Sequence, residues 1–197
     1  MEKVNRRTSA GRWKLFAVMA VCAAPIIFSY LTYYVIQPTG RTNYGTILDP
    51  RLYPMPKLGS NLLGGEPKEL DAYKGKWIML QIDSGACADA CQKKLYDMRQ
   101  LRLIQGKEMD RVERVWLISD DQAVDPVLIR AFDGMHMLKA NANTLKSWLP
   151  LEAGTQLQDH IFMIDPRGNL MMRFPKNADP QKMKKDIGKL LRASAIG

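Results

Sequence analysis

The hydrophobic pattern divides the chain into three unequal parts. Leu15 to Ile36 reads LFAVMAVCAAPIIFSYLTYYVI, twenty-two positions without a charge. At about 1.5 Å per residue this is roughly 33 Å of helix, enough to cross a hydrocarbon core. Pro25 predicts a kink in it, and Tyr30, Tyr33 and Tyr34 sit where an interfacial aromatic belt would lie. Residues 37–66 are dense in proline and glycine and read as a stalk or an extended entry segment, with room for a short strand or hairpin. From residue 67 to 197 short apolar runs alternate with helical spacing. Trp77–Asp83 (WIMLQID), bounded by Gly75 and Gly85, predicts a buried strand. Cys91, Leu95, Met98, Leu101 and Leu103 recur at helical spacing, predicting a helix from Cys87 to Gln105 that Gly106 ends. Arg114–Ser119 is a second strand, and 124–133 a short helix with Pro126 near its start. His160–Ile164 is a third strand, joined through the Asp165–Gly168 turn to a hairpin partner over Asn169–Phe174. Pro180 opens a last helix running to about Ala193. This order predicts an α/β domain: a central sheet flanked by helices, with parallel strands joined by right-handed crossovers.

Charge orients the apolar run. Residues 1–14 hold Lys3, Arg6, Arg7, Arg12 and Lys14 against Glu2, while Arg41 is the only charge in the twelve residues after the run. The positive-inside rule then keeps residues 1–14 in the cytoplasm, spans the membrane with 15–36 and exports the rest of the chain. The run is longer than the apolar core of a cleavable signal, and no small-x-small site with a polar exit comes after it. Val21 stands where a lipoprotein signal needs a small residue before Cys22. The expectation is a single-pass anchor in the inner (cytoplasmic) membrane, with the α/β domain on the periplasmic side. The net charge of +9 is otherwise dispersed, which excludes nucleic acid as the expected partner. The Lys182–Lys189 run reads as a solvated helix face. No glycine-rich phosphate loop, nucleophile elbow or metalloprotease motif is present.

Three cysteines remain as candidate chemistry. Cys22 lies in the apolar run and reads as a lipid- or helix-facing residue. Cys87 and Cys91 are close neighbours at a strand-to-helix corner, a placement that suits metal binding or redox work better than a structural staple. A helix N-terminus favours thiolate there, and the i, i+4 spacing brings both sulfurs to one face. Soft thiolates suit Cu(I), with an imidazole or thioether as third ligand. An inert buried pair or a small structural disulfide is the plainer alternative. His136, in Gly134-Met-His-Met137, could join a Cu(I) site, but the segment reads first as packed core.

Lys74-Gly75-Lys76-Trp77 with its apolar strand, the cysteine corner, and Ile164-Asp165-Pro166-Arg167-Gly168 resemble the thioredoxin superfamily. Within it, Cys87-Ala-Asp89-Ala-Cys91 is similar to the C-x-D-x-C motif of the Sco/SenC family, over roughly residues 58–192. The resemblance implies a thioredoxin-like fold on a membrane anchor. It also implies a role in supplying copper to, or maintaining the thiols of, the binuclear copper site of cytochrome c oxidase, whose copper-site subunit would be the partner. Cys87 and Cys91 would be the copper-binding or redox pair. The chain has Ala88 and Gln92 where the family has prolines. An ungapped alignment puts Leu157 at the family's third-ligand histidine, so His160, three residues on, is the candidate third copper ligand. Thioredoxin-type oxidoreductases carry a cis-proline before this strand, and residues 151–162 contain none. Three functions remain open: Cu(I) delivery through Cys87, Cys91 and His160; thiol–disulfide exchange with Cys87 as exposed nucleophile and Cys91 as resolving thiol; and a scaffold that kept the fold without the site.

Overall fold

The computed structural model describes residues 7–36, 43–61, 68–194 and 196. They form two compact units, Met1–Thr42 and Asn43–Gly197. The first is one helix, α1 (Arg7–Leu31), continued by a π-helical turn over Thr32–Ile36. Its apolar stretch, Gly11–Ile36, is 26 residues with a mean hydropathy of 2.1. That is about 39 Å of helix, long and apolar enough to cross a membrane. Pro25 lies inside α1, where it removes one backbone donor from the helical ladder.

Among the described residues the second unit is built on a seven-stranded sheet in the order β1 (Thr46–Ile47), β7 (Leu170–Arg173), β6 (Ile161–Ile164), β3 (Trp77–Asp83), β4 (Val112–Ile118), β5 (His136–Lys139) and β2 (Ser60–Asn61). Its centre is β3 (Trp77–Asp83), buried along its length except at Asp83. β3 pairs in parallel with β4 (Val112–Ile118) and antiparallel with β6 (Ile161–Ile164). β5 (His136–Lys139) extends the parallel side, and β7 (Leu170–Arg173) closes the β6 hairpin. Strands buried on both faces need near-continuous apolar runs, which WIMLQID and VERVWLI largely supply.

Side-chain alternation splits the core in two. Met79, Trp116, Ile161 and Met163 face one way, under α2 (Asp89–Leu103), α3 (Pro126–Ala131) and α5 (Pro180–Ala193). Ile78, Leu80, Val115, Leu117 and Phe162 face the other, under α4 (Ala142–Trp148) and the segment that leads into β3. Asp125, Asn141 and Asp179 each cap a helix through their carboxylate or amide oxygen.

Residues 43–61 are not a free stalk. Thr46–Ile47 forms β1 on β7, and Ser60–Asn61 forms β2 on β5. Met55 and Leu58 are buried in the second core half, and Met55 N–H donates to Gly168 O at 2.8 Å. The domain therefore starts at 43, because two-residue edge strands and two buried apolar anchors suffice to dock an extended segment whose composition looks like a linker. Residues 37–42 and 62–66, also assigned to the stalk, lie outside the described residues, as does residue 67.

Candidate functional site

β3 ends at Asp83 and the chain turns through Ser84-Gly85-Ala86 to Cys87. Gly85 is required there: a Cβ on it would lie 2.0 Å from the Gln122 carbonyl oxygen in the loop after β4. Its N–H donates to Asp120 Oδ1 at 2.9 Å, and Gln122 N–H donates to the same oxygen at 3.2 Å. Burial pushes the Asp120 carboxyl up, but hydrogen bonds from Gly85, Ser84 and Gln122 outweigh it and hold the group below its ordinary value. One carboxylate thus ties the β4–α3 loop onto the loop that carries Cys87.

Cys87 has φ +40°, a left-handed conformation that costs a side-chain-bearing residue roughly 1 kcal/mol. It precedes α2 rather than opening it: the N-cap is Ala88, which offers no side-chain cap. Cys91 lies in the first turn, its N–H on Ala88 O at 2.8 Å. Gln92 donates from Nε2 to Cys87 O at 3.0 Å, which holds the turn in place. The two cysteines are joined by a disulfide with their Cα atoms 5.1 Å apart. The pair sits at the N-terminus of a 15-residue helix that has no side-chain cap, and the positive end of the helix favours negative charge on either sulfur after reduction.

The sulfurs differ in access. Cys87 is 0 % exposed and Cys91 2 %, but Cys91 lines a cavity of about 470 Å³ with Ala88, Lys94, Gln158, Ile161 and Met183. Cys87 is thus not the exposed nucleophile that the exchange reading expects: both cysteines are buried, and of the two it is Cys91 that lines the cavity.

Polar groups lie beneath the pair. Gln81 is 0 % exposed on the cysteine side of β3. Its Nε2 faces Asp83 Oδ2 at 3.3 Å and Cys91 O at 3.4 Å, while its Oε1 has no hydrogen-bond partner. Lys94 bridges from α2 to Asp83 at 3.2 Å and to the Gln158 carbonyl across the cavity mouth. A glutamine inside an otherwise apolar run was visible in the sequence, and it is the signal that could have found this cluster. Spacing gave no sign that Lys94 and Asp83 meet.

His160 is not brought to the thiols. It is 0 % exposed and sits on the face opposite the cysteines, because its neighbour Ile161 points to the cysteine side and alternate residues of an extended strand point opposite ways. Nδ1 donates to Phe174 O at 2.8 Å, Nε2 is 2.8 Å from Thr155 Oγ1, and the ring meets Phe162 edge-on at 5.9 Å. Both nitrogens are engaged. Among the described residues no three His, Cys, Asp or Glu side chains form a group that could hold a metal ion. The donor set at the corner is two sulfurs, which suits soft Cu(I) in low coordination and no harder ion.

His136 is equally remote. Met135 and Met137 are buried core, while His136 stacks on Tyr73 at 4.1 Å and pairs through Nε2 with Glu113 Oε2 at 3.2 Å. Glu113 lies near the start of β4, the end of the sheet away from the cysteines. Cys22 is exposed on α1 and unpaired.

Residues 77–194 match the family described as transmembrane-like, thioredoxin-like, C-terminal domain. The chain belongs to this family. Its thioredoxin-like fold is shared by solved structures at low identity. Yeast Sco1 superposes with a TM-score of 0.58 at 14% identity, over 75% of this chain and 99% of that one. Copper-bound ScoI of Arabidopsis thaliana gives 0.56 at 18%, over 72% and 99%. The thioredoxin domain of a thiol-disulfide oxidoreductase from Bacteroides vulgatus gives 0.53 at 16%, over 73% and 99%. No curated protein matches the chain significantly in sequence. This chain thus shares its fold both with copper-bound ScoI and with a thiol-disulfide oxidoreductase domain.

Proposed function

We propose that this chain is a membrane-anchored thiol protein of the Sco kind that acts on exported proteins through reversible opening of the Cys87–Cys91 disulfide, with the thiols of an oxidase copper site as its target. The reading is carried by the disulfide at the N-terminus of α2 beside an open cavity, with His160 on the other side of the sheet. In the dithiol state the Cys91 thiolate attacks a target disulfide from the cavity and forms a mixed disulfide, releasing one target sulfur as thiolate, which takes up a proton. Cys87, deprotonated, then attacks Cys91 Sγ and releases the second target sulfur. The target gains two electrons and two protons, the Cys87–Cys91 bond forms, and an external thiol reductant must restore the dithiol. The buried Gln81 amide and the Lys94–Asp83 pair hold the cavity side of Cys91 in place. The charge bias around the span supports an inner-membrane anchor with residues 1–14 in the cytoplasm and the thiols on the periplasmic side.

A second reading keeps the same pair and changes its cargo. The Cys87-Ala-Asp-Ala-Cys91 spacing and the likeness in fold to copper-bound ScoI support Cu(I) held between both thiolates and passed on by ligand exchange. Anaerobic Cu(I) titration of the reduced full chain separates the two. The exchange reading predicts weak binding and a mixed disulfide trapped on Cys91 in a Cys87→Ser variant. Stoichiometric tight binding, lost in Cys87→Ser and Cys91→Ser, replaces it with copper delivery. In either case His160→Ala leaves Cu(I) affinity unchanged; a weakened affinity would return His160 to the site. Neither binding nor exchange would leave a scaffold.

A further inference from the structure

The C-terminal helix carries charge that the thiol site does not use. Lys182, Lys184, Lys185, Lys189 and Arg192 all lie exposed on α5, while its one acid, Asp186, is turned inward at 2 % exposure. Among the described residues Lys184, Lys185 and Arg192 form no ion pair. Between α5 and the end of α2 lies a groove of about 450 Å³, lined by Lys184, Lys185, Lys189 and Arg192 against one acid, Glu108, which is paired with Arg111 at 2.7 Å, with Ile104, 45% exposed, at its edge.

The start of the domain is fastened to this same helix. Tyr44 and Gly45 donate their N–H groups to Asp186 Oδ2 at 2.6 and 2.9 Å. Asp179 N–H donates to the Tyr44 hydroxyl at 3.0 Å, and Lys182 Nζ stands 5.2 Å from the centre of the Tyr44 ring. Eight residue steps separate Tyr44 from Ile36, the last residue of the apolar span. An extended chain covers at most about 3.5 Å per residue, so the covalent leash from the span to the α5 clamp is no longer than about 28 Å.

We propose that the basic face of α5 docks on the anionic phospholipid headgroups of the membrane that holds the span. The proposal rests on the anchor reading of α1. Charge complementarity supplies the attraction, each basic side chain near an anionic surface adding to it. The leash keeps that surface at high effective concentration, an advantage that a diffusing acidic protein lacks. Docking also bears on the thiols. Met183 of α5 lines the Cys91 cavity, so a helix seated on headgroups sets the direction in which that cavity faces.

The test uses the full chain in nanodiscs, one set of phosphatidylcholine and one with about a quarter phosphatidylglycerol. Lysine acylation by an uncharged active ester is followed by mass spectrometry. Lys184 and Lys185 should react at least about threefold more slowly in the anionic discs at low salt, and the slowing should vanish near 0.5 M salt. Lys146, exposed on α4, should react equally in both and serves as the internal reference. Lys184→Glu with Lys185→Glu should abolish the slowing at Lys182 and Lys189. Equal rates at Lys184 and Lys185 in the two discs would overturn the proposal and leave the face to an acidic protein. Slowing in neutral discs to the same extent would also overturn it, since charge would not be the cause. A chain that fails to enter neutral discs at all defeats the anchor reading, and the proposal with it.

Discussion

Glu113 offers the sharpest stability prediction. It accepts from Lys76 Nζ at 2.6 Å and faces His136 Nε2 at 3.2 Å. The His136 hydrogen bond, opposed by burial and reinforced by Lys76, holds its carboxyl down at about 2 against an ordinary 4.5. Unscreened, the drop from 4.5 to about 2 is worth roughly 3.4 kcal/mol. Lys76 is 45% exposed while Glu113 is 17% exposed, so solvent screens part of this and about 1–2 kcal/mol is the usable figure. The folded value is depressed, so the contribution is present above pH 4.5 and is lost as pH falls toward 2. At pH 3 more than half of it is gone. Glu113→Gln should therefore lower Tm by about 3–6 °C at pH 7, and by clearly less at pH 3. Thermal unfolding of the detergent-solubilised full chain, followed by circular dichroism at both pH values, measures the gap between variant and parent. A gap that stays constant from pH 7 to pH 3 would refute the reasoning, because it would mean that the carboxylate's charge contributes nothing to folding.

Two further substitutions test the packing around the site and the start of the domain. Gly85→Ala puts a methyl group 2.0 Å from the Gln122 carbonyl oxygen, so the β4–α3 loop must move. It should cost about 1–3 kcal/mol and speed alkylation of reduced Cys87, and unchanged labelling would show that this loop does not cover the thiol. Asp186→Ala strands the Tyr44 and Gly45 N–H groups and should cost about 2–4 kcal/mol in urea unfolding. A loss under about 0.5 kcal/mol would mean that the segment from residue 43 is not anchored through α5.

Length and periodicity decided how much of the fold was legible in the sequence. WIMLQID and RVWLIS are long enough and apolar enough to be strands in any context, and they became β3 and most of β4. Cys91, Leu95, Met98 and Leu101 kept the face that their spacing assigned. β5 was missed because four residues with His136 among them carry no period. The edge strands at 46–47 and 60–61 were foreseen only as a short strand or hairpin somewhere in 37–66, because pairing with β7 and β5, not local propensity, places them. The cysteine corner was legible as a thiol pair. Its internal asymmetry was not: the turn before Cys87 is tied through Gly85 to the loop at Asp120–Gln122, and a left-handed turn at Cys87 has no signature in Gly-Ala-Cys-Ala. His160 shows the same limit at finer grain. A one-residue step along β6 decides which face of the sheet a side chain takes, and register is set by partners that the sequence does not name.

The central claim is that Cys87 and Cys91 are a working couple rather than a staple. Equilibrating the full chain in thiol–disulfide buffers of graded potential, then alkylating and weighing it, measures this most directly. The account predicts a reversible two-electron transition above about −300 mV, within reach of cellular thiol reductants. A disulfide that stays closed well below that potential would contradict it and make the pair structural.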